Sequence, residues 1–333
     1  MNQQRRVNHN WYQILFGLTM AIVPSNADAQ SPMVSVQGEA QGTTYHVKYR
    51  DPQQRNLKEK IDSLLLEIDK CLSLYRPDSE LSQFNRTSSH RFQRPYFYPV
   101  LKKSEAIFRA TKGAFDPTVL PLVEAYGFGP KKPAQTDVIN VDSLLQWVGF
   151  GQIVFDSLSV RKQKPNVRLD FNGIAQGYSV DLVTGLLEDH GIEHYMVEIG
   201  GEIRAKGQKD KAQPWVVGID NPIHPNQLQL KVKLMDRAMT TAGNYRNQYQ
   251  ADGQLFSHII NPKTGEMEQS SVLSVTVFAA DAITADGYDT AFMVMGLENT
   301  KRFLEQHKEL DAYIIYADNG QLKTFATAGL TDL

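Results

Sequence analysis

The chain reads as an α+β protein with mostly antiparallel sheets and packed helices. Three observations carry that expectation. Runs rich in β-branched and aromatic residues cluster between positions 195 and 279, joined by hairpin-length connections. Helical stripes gather on either side of that block instead of alternating one for one with strands. No internal repeat is visible, which excludes a solenoid or a propeller.

The elements follow in order. Positions 35–50 predict two extended pieces about Gly42, the second being Thr43-Thr44-Tyr45-His46-Val47-Lys48-Tyr49. Asn56, with Glu59 three residues on, predicts a capped helix start. Leu57, Ile61, Leu64, Leu65, Ile68 and Leu72 make its apolar stripe. Cys71, in the last turn, reads as a small core residue; as the sole cysteine it excludes an intramolecular disulfide and a cysteine-based zinc site. A second helix spans 98–111 and ends at Gly113, and 127–133 is an exposed loop.

Positions 168–171 predict a short strand running into Gly173. A helix follows, with Ile174, Tyr178, Leu182, Leu186 and Leu187 inward and Gly191 as its left-handed stop. Strands are expected at 195–199 (ending at Gly200-Gly201), 215–219, 228–234 and 272–279. Asp281 caps a helix to Gly296, another helix covers 298–307, and 312–316 is the closing strand.

Composition narrows the function classes. The 333 residues are 41% hydrophobic and 22% charged, ordinary globular values that exclude collagen, coiled coil and low-complexity disorder. A formal charge of −2 gives no basis for nucleic-acid binding. Arg5, Arg6 and His9 precede an apolar run over 14–23, then Pro24-Ser25 and Ala27-Asp28-Ala29. A membrane span needs about 20 apolar residues, so this pattern predicts a secretory signal over 1–29, cleaved before Gln30, with an uncleaved anchor as the alternative. No cysteine follows the run to take a lipid. The expected product is exported and periplasmic, soluble or loosely attached to the outer face of the inner membrane, with 30–333 as its functional domain.

No phosphate loop, dinucleotide glycine fingerprint or His-Glu-x-x-His is present. Four subtler clusters remain. In Ala285-Asp286-Gly287-Tyr288-Asp289-Thr290-Ala291, Asp286 and Thr290 stand four apart on a helix and Asp289 lies beside them. Carboxylate plus hydroxyl is hard-oxygen chemistry suited to Mg²⁺, although spacing alone also fits a polar helix face. The second, Leu169-Asp170-Phe171-Asn172-Gly173-Ile174-Ala175-Gln176-Gly177-Tyr178, breaks into a helix N-terminus that can hold a phosphate, lend a carbonyl to a metal, or simply be capped by Asp170 and Asn172. The third, Phe256-Ser257-His258-Ile259-Ile260-Asn261-Pro262-Lys263-Thr264-Gly265, carries one histidine, either structural or able to move a proton near neutral pH. The fourth, Gly113-Ala114-Phe115-Asp116-Pro117-Thr118, allows close backbone approach beside an aromatic face.

Taken together in their order along the chain, the clusters resemble the ApbE family of FAD:protein FMN transferases. Gln41-Gly42-Thr43-Thr44-Tyr45, Leu74-Tyr75 with Ser82-Gln83-Phe84-Asn85, Glu198-Ile199-Gly200-Gly201-Glu202 and Ala242-Gly243-Asn244-Tyr245 add to the likeness, which spans about 38–330. The resemblance implies a T-fold-like catalytic unit, with room for two lobes. It implies a reaction in which FAD is split at its pyrophosphate, FMN is esterified onto Thr or Ser of a partner protein, and AMP leaves. By likeness, Asp286, Asp289, Thr290 and the Gly173 carbonyl ligate Mg²⁺. Tyr75, Ala114, Phe115, Asp116, Asp170, Gln176, His258 and Ile259 line the FAD site, with Gln41 adjoining. His258 or Asp289 takes the acceptor proton.

Expected acceptors, such as subunits of redox-driven ion pumps or flavin reductases, carry Asp-x-x-Thr/Ser-Gly-Ala/Thr-Thr/Ser. The chain's own nearest match, at 181–187, fails at its last two positions. Family members often have Met, Gly and Lys where Gln41, Asn172 and Gln176 stand. Two alternatives use the same site: a Mg²⁺-dependent FAD pyrophosphatase, with water as acceptor, and an exported flavin-binding protein without turnover.

Overall fold

The computed structural model describes residues 31–130, 139–224, 227–243, 248–251, 254–257, 259–268 and 270–330. The predicted leader over 1–29, positions 131–133 of the predicted loop, Asn244-Tyr245 and His258 lie outside them.

The chain opens with β1 (Met33–Ala40) and β2 (Thr43–Arg50), joined through Gln41 and Gly42 at φ 55° and 74°. A helical stretch follows: α1 (Lys58–Leu72), α2 (Glu80–Arg86), the short β3 (Ser89–Arg91), α3 (Phe97–Ala110), α4 (Leu120–Ala125) and α5 (Val141–Leu145). Then come β4 (Ile153–Phe155), β5 (Ser159–Lys162), α6 (Ala175–Asp189), β6 (Tyr195–Ile199), β7 (Glu202–Lys206), β8 (Trp215–Asp220) and β9 (Leu228–Leu234). The chain continues through β10 (Arg237–Gly243), β11 (Gln248–Ala251), β12 (Gln254–Ser257), β13 (Val272–Ala279), α7 (Ala282–Gln306), β14 (Asp311–Asp318) and β15 (Gln321–Ala326).

Eight strands form one antiparallel sheet in the order β1-β2-β6-β7-β10-β13-β14-β15, in agreement with the expected class. Strand periodicity sends alternate residues to opposite faces. Ala238 of β10, Val275 and Val277 of β13 and Ile314 of β14 join the core beneath α1, α6 and α7. Met239, Phe278, Tyr313 and Ile315 face the other way, where the β8–β9 hairpin covers them with Trp215, Val217, Ile219, Val232 and Leu234. The sheet is thus sandwiched between helices and a hairpin.

Several elements depart from expectation. Positions 168–171 are extended but not a strand; a single bridge from Arg168 to Val119 is all the pairing they have. Asn56 does not cap α1. It accepts from Lys58 N in a local turn, and Leu57 occupies the cap position without a side-chain bond. Of the residues expected inward on α6, Ile174 and Leu187 are buried, while Tyr178, Leu182 and Leu186 are half-buried; Gly177, Ser179, Val180, Val183 and Thr184 complete its buried face. Residues 312–316 do not close the sheet, because β15 pairs outside β14. Gly296 interrupts α7 at φ 70°, as the expected pair of helices required.

Two long-range attachments position the helical layer. Asp51, fully buried after β2, accepts Arg55 Nε and Nη2 at 2.7 and 3.0 Å, and the same guanidinium reaches the His190 carbonyl at the end of α6. That pairing holds the Asp51 carboxyl down at about 2. The second is the contact of α6 with α7 at Gly177. A Cβ there would overlap the Ala282 carbonyl and approach Asp286 Cβ to 2.7 Å, so only glycine lets the helices lie this close.

Two outcomes are expected. Gly177→Ala should lower unfolding free energy by about 1–3 kcal/mol in denaturant titrations, because backbone must shift to admit the methyl. For Asp51, a folded pKa below the ordinary 3.8 contributes stability that is present above about pH 4 and is lost as pH falls through about 2. Asp51→Asn should therefore cost about 2 kcal/mol at pH 7, with the difference from wild type vanishing in acid-dependent melts.

Candidate active site

The start of α7 is pinned by two carboxylates. Asp281 accepts the Thr284 N–H at 2.9 Å. Asp181, reaching across from α6, accepts Ala282 N at 2.9 Å and Ile283 N at 2.8 Å, and is itself held by Arg204 of β7 at 2.8 Å. Three of the four free N–H groups of that first turn are thereby satisfied, and negative charge sits where the helix dipole favours it. One turn further in, Asp286 accepts Gly177 N at 2.7 Å.

This arrangement aims a polar cluster at the turn before α6. Asp286 and Asp289 are 4% and 2% exposed. The Thr290 hydroxyl donates to Asp289 at 3.3 Å. A Cβ built on Gly173 would lie 2.9 Å from Thr290 Oγ1, so the Gly173 backbone abuts that hydroxyl. The four expected cation ligands, two turns of chain and more than a hundred residues apart in sequence, are brought together.

Burial is the main cause that raises both carboxyl pKa values. Asp181 adds to the rise at Asp286, and Asp286 adds to that at Asp289. The Gly177 N–H opposes the first; Thr240 and Thr290 oppose the second. Among the described residues no lysine or arginine compensates either group. The Thr240 hydroxyl, fully buried on β10 beneath α7, is near enough to influence Asp289 yet makes no hydrogen bond of normal geometry. Two desolvated carboxylates, hydroxyls and a glycine backbone make a hard-oxygen donor set short of one positive partner, and it fits a divalent cation such as Mg²⁺. Among the described residues no group of three or more His, Cys, Asp or Glu offers a competing metal site.

The 168–176 segment is held by side chains in place of a neighbouring strand. Asn85 clamps Leu169 from both sides, accepting its N–H and donating to its carbonyl, each at 2.8 Å. Asp170 N donates to Pro117 O at 2.7 Å, joining this segment to the Gly113–Thr118 stretch. Asp170 accepts Asn172 N at 2.8 Å, and burial pushes its carboxyl up to about 6. Tyr75, 64% exposed, lies near enough to Asp170 and Asn172 for both to influence its hydroxyl, whose pKa is raised mainly by burial.

Ala114, Phe115 and Asp116 are buried. Both Asp116 oxygens are committed, one to Thr118 N and Oγ1 at 2.8 and 2.6 Å, the other to Phe150 N at 3.2 Å; burial raises this carboxyl to about 6 as well. Gln176 donates to Ile199 O at 3.2 Å and fills the space beside Gly200, whose φ is 63°. Gln41 donates to Ser179 Oγ at 2.7 Å. Ile259 is half-buried against the large core, and the turn after it brings Lys263 beside Gly113. His258 lies outside the described residues.

Sequence reasoning assigned no site role to Asp181, Asn85 or Thr240. A signal existed for Asn85, which falls within a stretch singled out, and Asp181 lies three residues past another. Thr240 had none, since only the pairing of β10 beneath α7 makes it a neighbour of Asp289.

The ApbE family profile matches residues 41–314. Among curated proteins, the FAD:protein FMN transferase of Vibrio cholerae is 37% identical over 330 residues, covering 96% of this chain and 97% of its own. That of Haemophilus influenzae is 33% identical, covering 92% and 93%. Among solved structures, the flavin transferase ApbE from Vibrio cholerae superposes with a TM-score of 0.82 at 35% identity, covering 90% of this chain and 98% of that one. Pseudomonas stutzeri flavinyl transferase ApbE in its apo form gives 0.80 at 30%, covering 90% and 96%. With family profile, full-length relatives and fold all in accord, the chain belongs to the ApbE family.

Proposed function

We propose that the chain transfers FMN from FAD to a Thr or Ser hydroxyl of a protein acceptor: the hydroxyl oxygen bonds to the FMN phosphorus, the bond to the AMP phosphate breaks, and AMP leaves. The observation that carries this reading is the buried Asp286–Asp289 pair, uncompensated among the described residues, against the Gly173 turn. The printed activity of the relatives supports the same chemistry.

Asp286, Asp289, Thr290 and the Gly173 carbonyl would hold Mg²⁺. Bound there, the ion supplies charge neutralisation of the FAD diphosphate and of the AMP phosphate as it leaves. Gly177 N–H keeps Asp286 oriented, and Asp181 keeps α7 from sliding along α6. Tyr75, Ala114, Phe115, Asp116, Asp170, Gln176 and Ile259 would line the FAD site, with Gln41 adjoining. His258 would take the acceptor proton, with Asp289 as the competing base. The basic, apolar and small-residue order of the first 29 positions supports a periplasmic place of work.

The direct test mixes the purified chain, FAD and MgCl₂ with an acceptor protein bearing Asp-x-x-Thr/Ser-Gly-Ala/Thr-Thr/Ser. Covalent flavin fluorescence on the acceptor with stoichiometric AMP is expected; AMP with free FMN and an unlabelled acceptor would mean hydrolysis instead. Asp286→Asn and Asp289→Asn should each reduce the transfer rate by about 100-fold or more and weaken Mg²⁺ binding in calorimetry. His258→Ala should slow transfer by about 10²–10⁴-fold, and turnover near wild type would remove the histidine from the reaction.

A further inference from the structure

We propose that the outward face of the β8–β9 hairpin docks the protein onto an anionic lipid surface. The inner face of this hairpin is accounted for, since Trp215, Val217, Ile219, Val232 and Leu234 pack on the sheet. Beyond the hairpin's inner face, large apolar side chains are left about half exposed to solvent. Val216, Leu228 and Met235 are 54%, 52% and 53% exposed. With Ile223 in the connecting loop, four of the nine large hydrophobics exposed among the described residues fall within twenty positions of one hairpin; the other five are scattered over the chain.

Register shows that two of them share one side. Val216 pairs with Lys233, and Gly218 with Lys231, so these residues look outward together. Met235 lies one residue past the end of β9. Leu228 belongs by parity to the inner face, but a register shift at Ile219/Asp220 turns it outward. A Cβ on Gly218 would come within 2.5 Å of Leu228 Cδ2, so the leucine lies flat over the glycine on the exposed side.

Lys231 and Lys233 are exposed and form no ion pair among the described residues. The acidic residue on this face of β8 is Asp220, at the loop end. Lysines on a two-stranded ribbon also discourage edge pairing. That role leaves the adjoining valine, leucine and methionine unexplained, whereas apolar side chains flanked by two lysines match the headgroup boundary of an anionic bilayer. The hairpin lies across the sheet from α6 and α7, so docking there leaves the carboxylate cluster uncovered.

Co-sedimentation of the full chain with phosphatidylcholine vesicles, with and without phosphatidylglycerol, tests the assignment. Wild type should partition onto the phosphatidylglycerol vesicles, less so as salt rises. Lys231→Glu with Lys233→Glu should lower that partition coefficient by about 10-fold or more. Val216→Ser with Leu228→Ser, also on the outer face, should lower it at unchanged charge. Amide exchange in β8 and β9 should slow when these vesicles are added. Equal partitioning of wild type and both double variants overturns the proposal, as does vesicle binding without protection of the hairpin. So does protection that requires a protein and occurs without lipid.

Discussion

The reach of Asp181 from α6 onto the first N–H groups of α7 is the interaction on which the rest of the site depends. A helix terminus is normally capped from its own preceding residues, as Asp281 also does here. By adding a carboxylate from a second helix, the fold fixes the axial position of α7 against α6 as well as its first turn. Gly177 then permits the close approach that this position requires. Rotation of α7 by one residue would turn Asp286 about 100° away from the Gly177 N–H.

Once that interlock is set, the electrostatics follow. Desolvated carboxylates are costly, and they persist in a native structure where a partner or a function compensates them. Asp286 and Asp289 have backbone and hydroxyl donors but, among the described residues, no cationic neighbour. The surrounding side chains are packed: Ile174, Ala285, Tyr288 and Phe292 are all buried beside them. A closely packed, negatively polarised site is one in which a divalent ion is gripped with little reorganisation.

Much of this was legible in the sequence where the determinants are local. The α1 stripe, the break of α7 at Gly296 and the Asp286/Asp289/Thr290 spacing depend on residues within a few turns of each other. The failures share a cause, which is that distant groups decide. Positions 168–171 alternate like a strand, but their backbone bonds go to the Asn85 side chain and the Pro117 carbonyl. The inward face of α6 was assigned to its large residues; Ile174 and Leu187 are buried as expected, but Gly177 and Thr184 are buried too, because α6 packs closely there and its neighbours supply the bulk. Short strands such as β3 to β5 lack the length for a clear alternation.

Cys71 has a practical corollary. Its thiol is fully enclosed among the α1 core residues, and burial drives its proton affinity upward, so hardly any nucleophilic sulfur exists at neutral pH. The native chain is accordingly close to silent toward maleimides and mild peroxide. A single engineered surface cysteine would carry a spectroscopic reporter with little background, without first deleting the natural one.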